Sequence, residues 1–228
     1  MVFKKWTTLL TAPKFRFFYR TYANKNFKLL DVGCGGHSLA VTKRVFPHCE
    51  YYGLDKHFYD NEQADTHRMK KFYTIDLLDG DLSILPDNFF DIIIVSHVIE
   101  HLTNGLQIIE NLCKKLNLGG GIYVEFPSER SLSFPSLPGT LHFCDDDTHI
   151  RLYSLIEVCN IILLQGLRIK KAGLRRDMFG IIILPIAFIY RRYIKKIPYA
   201  CVFWDLFGFS YYLYAEKKNL QQPIEKTT

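Results

Sequence analysis

Seven short runs rich in aliphatic, β-branched and aromatic residues recur along the chain, near 28–33, 50–55, 72–76, 90–96, 121–127, 167–172 and 209–216. Each reads as a strand, and helices are expected to fill the intervals. The run Ile92-Ile93-Ile94-Val95 is apolar at every position, as befits a strand covered on both faces. Strands alternating with helices imply a mostly parallel sheet with right-handed crossovers, and ligands of such sheets bind at the carboxyl ends of the strands.

The first junction holds the most specific signal. Lys28-Leu-Leu-Asp-Val rises to Gly33-Cys34-Gly35-Gly36-His37 and then enters a helix-like segment from Ser38 to Phe46, so it reads as strand, tight glycine turn and helix. Glycine there lets the backbone turn sharply and approach a ligand where a Cβ would collide. A dinucleotide fingerprint calls for glycine at 38, which is Ser, and a phosphate loop calls for Lys directly after the glycines, whereas the next Lys is Lys43. What remains is a corner with an acid at the strand tip and no phosphate apparatus, suited to a ligand carrying a cation and a ribose.

Asp31-Val-Gly33-Cys34-Gly35 resembles the first motif of class I S-adenosylmethionine-dependent methyltransferases, with His37 standing where the family usually has its third glycine. Later segments match in family order: the run ending at Asp55-Lys56, the run ending at Asp76-Leu77, Leu85-Pro86 through Phe90-Asp91 into the apolar strand ending at Ser96-His97, and Leu116 to Phe126 with its three glycines. The resemblance covers about residues 28–170 and is closest to small-molecule, ubiquinone-pathway and glycan-modifying members. It implies a Rossmann-like, doubly wound α/β fold: seven strands, mostly parallel, with an antiparallel last strand and a helical insertion before it. It also implies S-adenosylmethionine as cofactor, released as S-adenosylhomocysteine. Asp31, Gly33, Cys34, Gly35, Asp55, Lys56, Asp76, Leu77, Ser96 and His97 would line its site, with Asp55 accepting from both ribose hydroxyls and Asp76-Leu77 holding the adenine.

Methyl transfer needs alignment and exclusion of water, and a hydroxyl acceptor gains from a base. Ser96-His97-Val98-Ile99-Glu100-His101-Leu102 resembles a family signature. A helix starting here would put His97 and His101 one turn apart on one face, with Glu100 beside them. Asp145-Asp146-Asp147-Thr148-His149 follows the fifth strand, and His149, His101 and Glu100 are the candidate catalytic residues. Glu100 and His101 are expected to bond the loop with no metal bound; the alternative is that His97, Glu100, His101 and His149, which resemble a divalent-metal site of RNA 2′-O-methyltransferases, hold a divalent ion. Ser154, with Glu157 three residues on, reads as the cap of the next helix.

Composition adds location and partners. At 228 residues and 48% hydrophobic, the chain suits a single domain: a basic helical segment (1–26), the cofactor-binding core (27–172), an insertion (173–208), the last strand (209–217) and a tail. Six scattered cysteines without Cys-x-x-Cys spacing and no evident leader point to a cytoplasmic chain, peripheral at most to a membrane. Residues 1–28 carry seven Lys or Arg and no acid, and 166–198 carry nine against Asp177 alone, which suggests an anionic surface as partner. The insertion contains Met178 to Tyr190, too short and too interrupted by Gly180 and Pro185 to span a bilayer. It reads equally as an interfacial segment, a cover for the substrate cleft or a buried core helix. The acceptor expected is a small-molecule, glycan or lipid-linked hydroxyl. RNA, which the aromatic and basic stretch Phe15 to Arg20 would permit, and a scaffold that binds cofactor without turnover are the alternatives, and oligomeric state is not specified.

Overall fold

In the computed structural model, which describes residues 12–57 and 68–218, the seven strands form one sheet. They are β1 (Lys28–Val32), β2 (Glu50–Asp55), β3 (Lys71–Thr74), β4 (Phe90–Ser96), β5 (Leu116–Pro127), β6 (Leu167–Leu174) and β7 (Ser210–Lys217). The order is β3-β2-β1-β4-β5-β7-β6. The first five strands are parallel, and β7 runs antiparallel between β5 and β6. The order reverses between β1 and β4, so the crevice of the sheet opens at the carboxyl ends of those two strands.

Side chains alternate across the strands and so build two cores. Leu30, Val32, Ile93, Val95, Ile122 and Val124 face helices α3 (Gly105–Lys115) and α4 (Leu155–Leu164), while Leu29, Ile92, Ile94 and Tyr123 face α1 (Arg16–Tyr22) and α2 (Ser38–Val45). In α3 the buried Ile108, Ile109 and Leu112 follow helical spacing, and Lys114 and Lys115 sit in the last turn, where they complement the helix dipole. Helix α4 begins at a capping box in which Ser154 accepts from the Glu157 amide and Glu157 accepts from the Ser154 amide, as its sequence indicates.

Four features depart from the sequence reading. The β3–β4 connection holds no α-helix, only a 3-10 turn over Leu77–Asp79, and the interval before β3 lies largely outside the described residues. Strand β5 starts at Leu116 instead of 121. Its pairing with β4 slips between Phe90 and Ile92, and the glycine run lies so close to β4 that a Cβ on Gly120 would meet the Asp91 carbonyl at 2.9 Å. The aromatics of the basic N-terminal stretch belong to the core: Phe15 and Phe18 are fully buried against Phe46, and Phe17 packs among Tyr123, Tyr212 and Tyr214. They are therefore not a stacking platform for nucleic acid.

The fourth departure is the insertion. Helix α5 (Met178–Ile189) continues into a π-helical turn over Tyr190–Lys195, and neither segment buries a residue, which rules out the core-helix reading. Ile182, Ile186 and Ile194 are 71%, 75% and 66% exposed. Among the described residues no helix is long and apolar enough to cross a membrane. The later part of the insertion does pack: Ala200, Phe203 and Trp204, with Phe209 just beyond it, close a third cluster with Phe134, Leu137 and Leu141 from the loop after β5.

Truncating Phe18, which stacks on Phe46 at 5.2 Å between ring centroids, should cost about 3–5 kcal/mol in denaturant unfolding of Phe18→Ala. An effect below about 1 kcal/mol would mean that α1 contributes little to the core.

Candidate active site

The turn after β1 takes its shape from two left-handed residues, Gly33 (φ +66°) and Gly35 (φ +53°). A Cβ on Gly33 would overlap the Val98 side chain at 2.4 Å, whereas one on Gly35 would meet nothing within 4 Å. The first glycine is required by packing as well as by conformation, and the second faces open space. His37 lies at φ −119°, a conformation open to any residue, so the missing third glycine leaves the turn intact.

Two carboxylates hold this turn from opposite sides. Asp31 is buried, and its Oδ2 accepts from the Ser38 hydroxyl and from the Tyr51 hydroxyl at 2.9 Å. Burial beside that carboxylate raises the Tyr51 phenol well above its ordinary range, so the phenol remains a donor. Ser38, which excludes a dinucleotide fingerprint, thus ties the start of α2 to the strand tip. Asp55, at the partly exposed end of β2, accepts from Gly35 N–H at 3.1 Å and from Lys56 N–H at 2.8 Å. One donor on each oxygen leaves lone pairs for further hydroxyls. The Cys34 thiol is pushed up to about 12 by burial, with Asp31 and Asp55 adding to the shift, and so stays neutral and unreactive.

The other expected cofactor residues also reach the carboxyl edge. Asp76 is exposed and its side chain accepts from Leu78 N–H at 3.0 Å, which shapes the turn that buries Leu77. Ser96 ends β4 and His97 follows it. Asp91 lies at the opposite end of that strand, where it accepts from Lys28 N–H at 2.8 Å, so its role is to join β1 to β4.

The histidines do not share a face. Ile99–His101 is a 3-10 turn instead of a helix start, and His97 adopts φ +55°, a conformation costing a non-glycine residue about 1–3 kcal/mol. The bend sends His97 toward β5 and His101 the other way. His97 Nδ1 lies 3.1 Å from Glu100 Oε1 and its Nε2 3.2 Å from Glu125 Oε1. Trp204 of the insertion and Phe209, which follows it, cover the ring, with centroids at 5.0 and 6.2 Å. Glu125, 3% exposed, also accepts from Arg175 Nη1 at 2.5 Å and from the Tyr123 hydroxyl at 2.5 Å. Arg175 in turn makes a two-pronged contact with Asp205, at 3.0 and 3.3 Å. Burial alone would make His97 harder to charge, but Glu100 and Glu125 outweigh it and raise His97 to about 9. Burial likewise opposes ionisation of Glu125, yet Arg175 and His97 hold it well below the usual carboxylate range.

Glu125 and Arg175 were absent from the candidates read from sequence. A single acid inside the apolar run Ile122 to Phe126 was the available signal, since a charge in a buried strand must be paired.

His101 and His149 meet on the far side of Glu100, with ring centroids 4.9 Å apart. The loop carrying His149 hangs on the Glu100 backbone: Ile150 N–H and Arg151 N–H both donate to its carbonyl, at 2.9 and 3.2 Å. Tyr153 locks the arrangement by donating to Leu102 O at 2.5 Å and accepting from Gly105 N–H at 2.9 Å. One ligand atom each from Glu100, His101 and His149 lie within 4.8 Å of one another. The fourth expected member, His97, is not among them; Glu100 stands between it and the other two.

This arrangement can be set beside known proteins. A methyltransferase-domain family profile matches residues 7–171; the chain belongs to that family and is a methyltransferase. No curated protein sequence matches it. The fold is similar to a SAM dependent methyltransferase from Archaeoglobus fulgidus (TM-score 0.58, 19% identity, 92% of this chain and 94% of that one). It is also similar to a Haloferax volcanii methyltransferase solved with the Trm112 activator (TM-score 0.64, 16% identity, 95% and 92%). A third similar structure is geranyl diphosphate C-methyltransferase from Streptomyces coelicolor, solved with Mg2+, geranyl diphosphate and S-adenosyl-L-homocysteine (TM-score 0.60, 15% identity, 92% and 80%). The architecture is that of class I methyltransferases, whose methyl donor is S-adenosylmethionine.

His97 binds its proton more tightly in the folded chain than at its ordinary value of 6.5. Its contribution to stability is therefore complete below pH 6.5 and fades as pH rises through about 9. The full effect is on the order of 3 kcal/mol. Thermal melts between these limits should fall more steeply for the native chain than for His97→Gln, and parallel curves would contradict the ion-pair assignment.

Proposed function

We propose that the chain transfers a methyl group from S-adenosylmethionine to a hydroxyl on a small-molecule, glycan or lipid-linked acceptor. The observation that carries the cofactor half is the open glycine turn at Gly33–Gly35, flanked by Asp55 with unfilled lone pairs. Asp55 and Lys56 would hold the ribose end, Asp76 and Leu77 the adenine, and Gly33, Cys34, Gly35, Ser96 and His97 the methionine end. The cofactor supplies a methyl on a sulfonium, whose departure as a neutral thioether needs no further activation.

The protein's part is to align the acceptor and handle its proton. As the acceptor oxygen forms its bond to the methyl carbon and the carbon–sulfur bond breaks, the hydroxyl proton must leave. In this reading His101 and His149 receive it. Each has Nδ1 engaged, His149 with the Phe143 carbonyl at 2.7 Å and His101 with Thr148 O and Oγ1 at 3.1 and 2.9 Å. A carbonyl only accepts, so Nδ1 carries the proton in both rings and Nε2 keeps its lone pair. A positioned base of this kind contributes roughly 10²–10⁴ in rate.

The insertion supports a membrane-associated acceptor. Exposed Ile182, Ile186, Ile189 and Tyr193 fall at helical spacing beside Arg191, Arg192, Lys195 and Lys196, the combination that an anionic bilayer interface favours. A pocket of about 490 Å3 lined by Pro138, Arg192, Tyr193, Lys196 and Tyr199 opens on the same surface.

Two measurements test these readings. Asp55→Ala should weaken S-adenosylhomocysteine binding by about 10–100-fold, the loss expected for hydrogen bonds to a charged group, with little change in melting temperature; unchanged affinity by calorimetry would refute the ribose assignment. The full chain should co-sediment with phosphatidylserine-containing vesicles but not with neutral ones, and Ile182→Glu with Ile186→Glu should abolish this. Equal recovery with both vesicle types, or no effect of the double substitution, would remove the membrane reading.

A further inference from the structure

We propose that the pocket between the π-helical turn of the insertion and Pro138 is a phosphate-binding site, and that it takes the phosphate group of a lipid-linked acceptor. The first observation is uncompensated positive charge in a concave place. The pocket encloses about 490 Å3, with Arg192, Tyr193, Lys196, Tyr199 and Pro138 among its walls and no acid, a size usual for small ligands. Asp177, the only acid between residues 166 and 198, is paired with Arg16 at 2.8 Å. Among the described residues neither Arg192 nor Lys196 makes an ion pair.

The second observation is how the two cations are held. The Arg192 guanidinium lies over Tyr193 and Tyr199, 5.5 and 5.8 Å from their ring centroids, contacts that orient it and leave its N–H donors unused. Arg191, by contrast, donates from Nε to the Pro198 carbonyl at 2.8 Å and so closes the chain reversal behind the pocket. Lys196 makes that reversal in the left-handed conformation (φ +53°), and the turn before it is π-helical with no buried residue. The first feature is costly and the second rare, and no core packing accounts for either. The reversal returns Lys196 toward Arg192, since Ile197 N–H donates to Arg191 O at 3.1 Å.

A guanidinium and an ammonium together match the charge of a phosphate monoester, about −1.5 to −2 at pH 7, and the guanidinium fork suits phosphate oxygens. The surroundings tie that phosphate to a lipid-linked acceptor. Exposed Ile182, Ile186, Ile189 and Tyr193 lead to the rim of the pocket, so an alkyl chain on the phosphate has an apolar surface to lie along. On the other side the pocket is walled by the loop that reaches the candidate bases. There Pro138 O accepts from Tyr199 and Ala200 N–H, Thr140 O accepts from Trp204 Nε1 at 2.6 Å, and Phe143 O accepts from His149 Nδ1. Pro138 and Phe143 are at most about 18 Å apart along the backbone, so one acceptor of modest size reaches both. Holding it by its phosphate supplies binding energy remote from the reacting oxygen. This consequence rests on the methyl-transfer and membrane readings; the phosphate site itself does not.

The test is calorimetry on the full chain with monomeric decyl phosphate, decanol and inorganic phosphate as probes, and with S-adenosylhomocysteine on the same samples. Decyl phosphate should bind at least about tenfold more tightly than either of the other two probes. Arg192→Gln and Lys196→Asn, the latter able to keep a left-handed backbone, should each weaken it at least about tenfold. Lys195→Ala removes the same charge one residue outside the pocket and should leave binding unchanged. Equal losses in Lys195→Ala and Lys196→Asn, or decanol binding as tightly as decyl phosphate, would overturn the site. Inorganic phosphate binding as tightly as decyl phosphate would keep the phosphate site and overturn its lipid-linked source. Decyl phosphate binding as described in a chain that ignores anionic vesicles, or that does not bind S-adenosylhomocysteine, would support the site and count against the membrane or the methyl-transfer reading instead.

Discussion

A carboxylate buried near the carboxyl end of β5 constrains this structure more than any other group. Glu125 cannot remain ionised inside the sheet without cations, and the chain brings them from two directions, Arg175 from the end of β6 and His97 from the end of β4. Each cation in turn requires a second anion, Asp205 for Arg175 and Glu100 for His97. The insertion is anchored through Asp205 and, by the Asp177–Arg16 pair at 2.8 Å, to α1. One buried charge thereby couples the N-terminal helix, the insertion and the candidate active site.

The sheet divides its carboxyl edge into two halves with different physics. Over β1 and β2 the groups are backbone and carboxylate: two left-handed glycines, Asp31 buried beneath them and Asp55 partly exposed beside them. This half is open, as a site that binds by shape and hydrogen bonds should be. Over β4 and β5 the groups are titratable and the walls aromatic, with Trp204 and Phe209 lying across His97. Such a wall limits the water around the charged chain and strengthens its pairings. Methyl transfer needs both properties in adjacent places, a fixed donor and a shielded acceptor.

How much of this was legible in the chain follows from the range of the forces involved. The strands and the glycine turn are local, and Asp31, Asp55 and the Ser154–Glu157 cap stand where their neighbours in sequence imply. The left-handed His97 was not legible, because nothing local marks a non-glycine residue for that conformation; it follows from Glu100 and Glu125 pulling on both ring nitrogens. The helix expected at Ile99–His101 gives way to a 3-10 turn for the same reason. The exposed face of α5 was ambiguous because an all-apolar run has no periodicity to say which side is buried. The early start of β5 depends on a register slip against β4 that only the pairing reveals.

The central claim is that the turn at Gly33–Gly35 and the Asp55 carboxylate cradle the adenosyl cofactor of a methyltransferase. A crystal structure of the full chain with S-adenosylhomocysteine addresses it most directly. The account predicts both ribose hydroxyls about 3 Å from the Asp55 carboxylate, with the adenine beside Leu77 and the homocysteine running over Gly33–Gly35 toward His97. Ligand density at another place, such as the basic pocket beside Arg192, with the glycine turn empty, would contradict it.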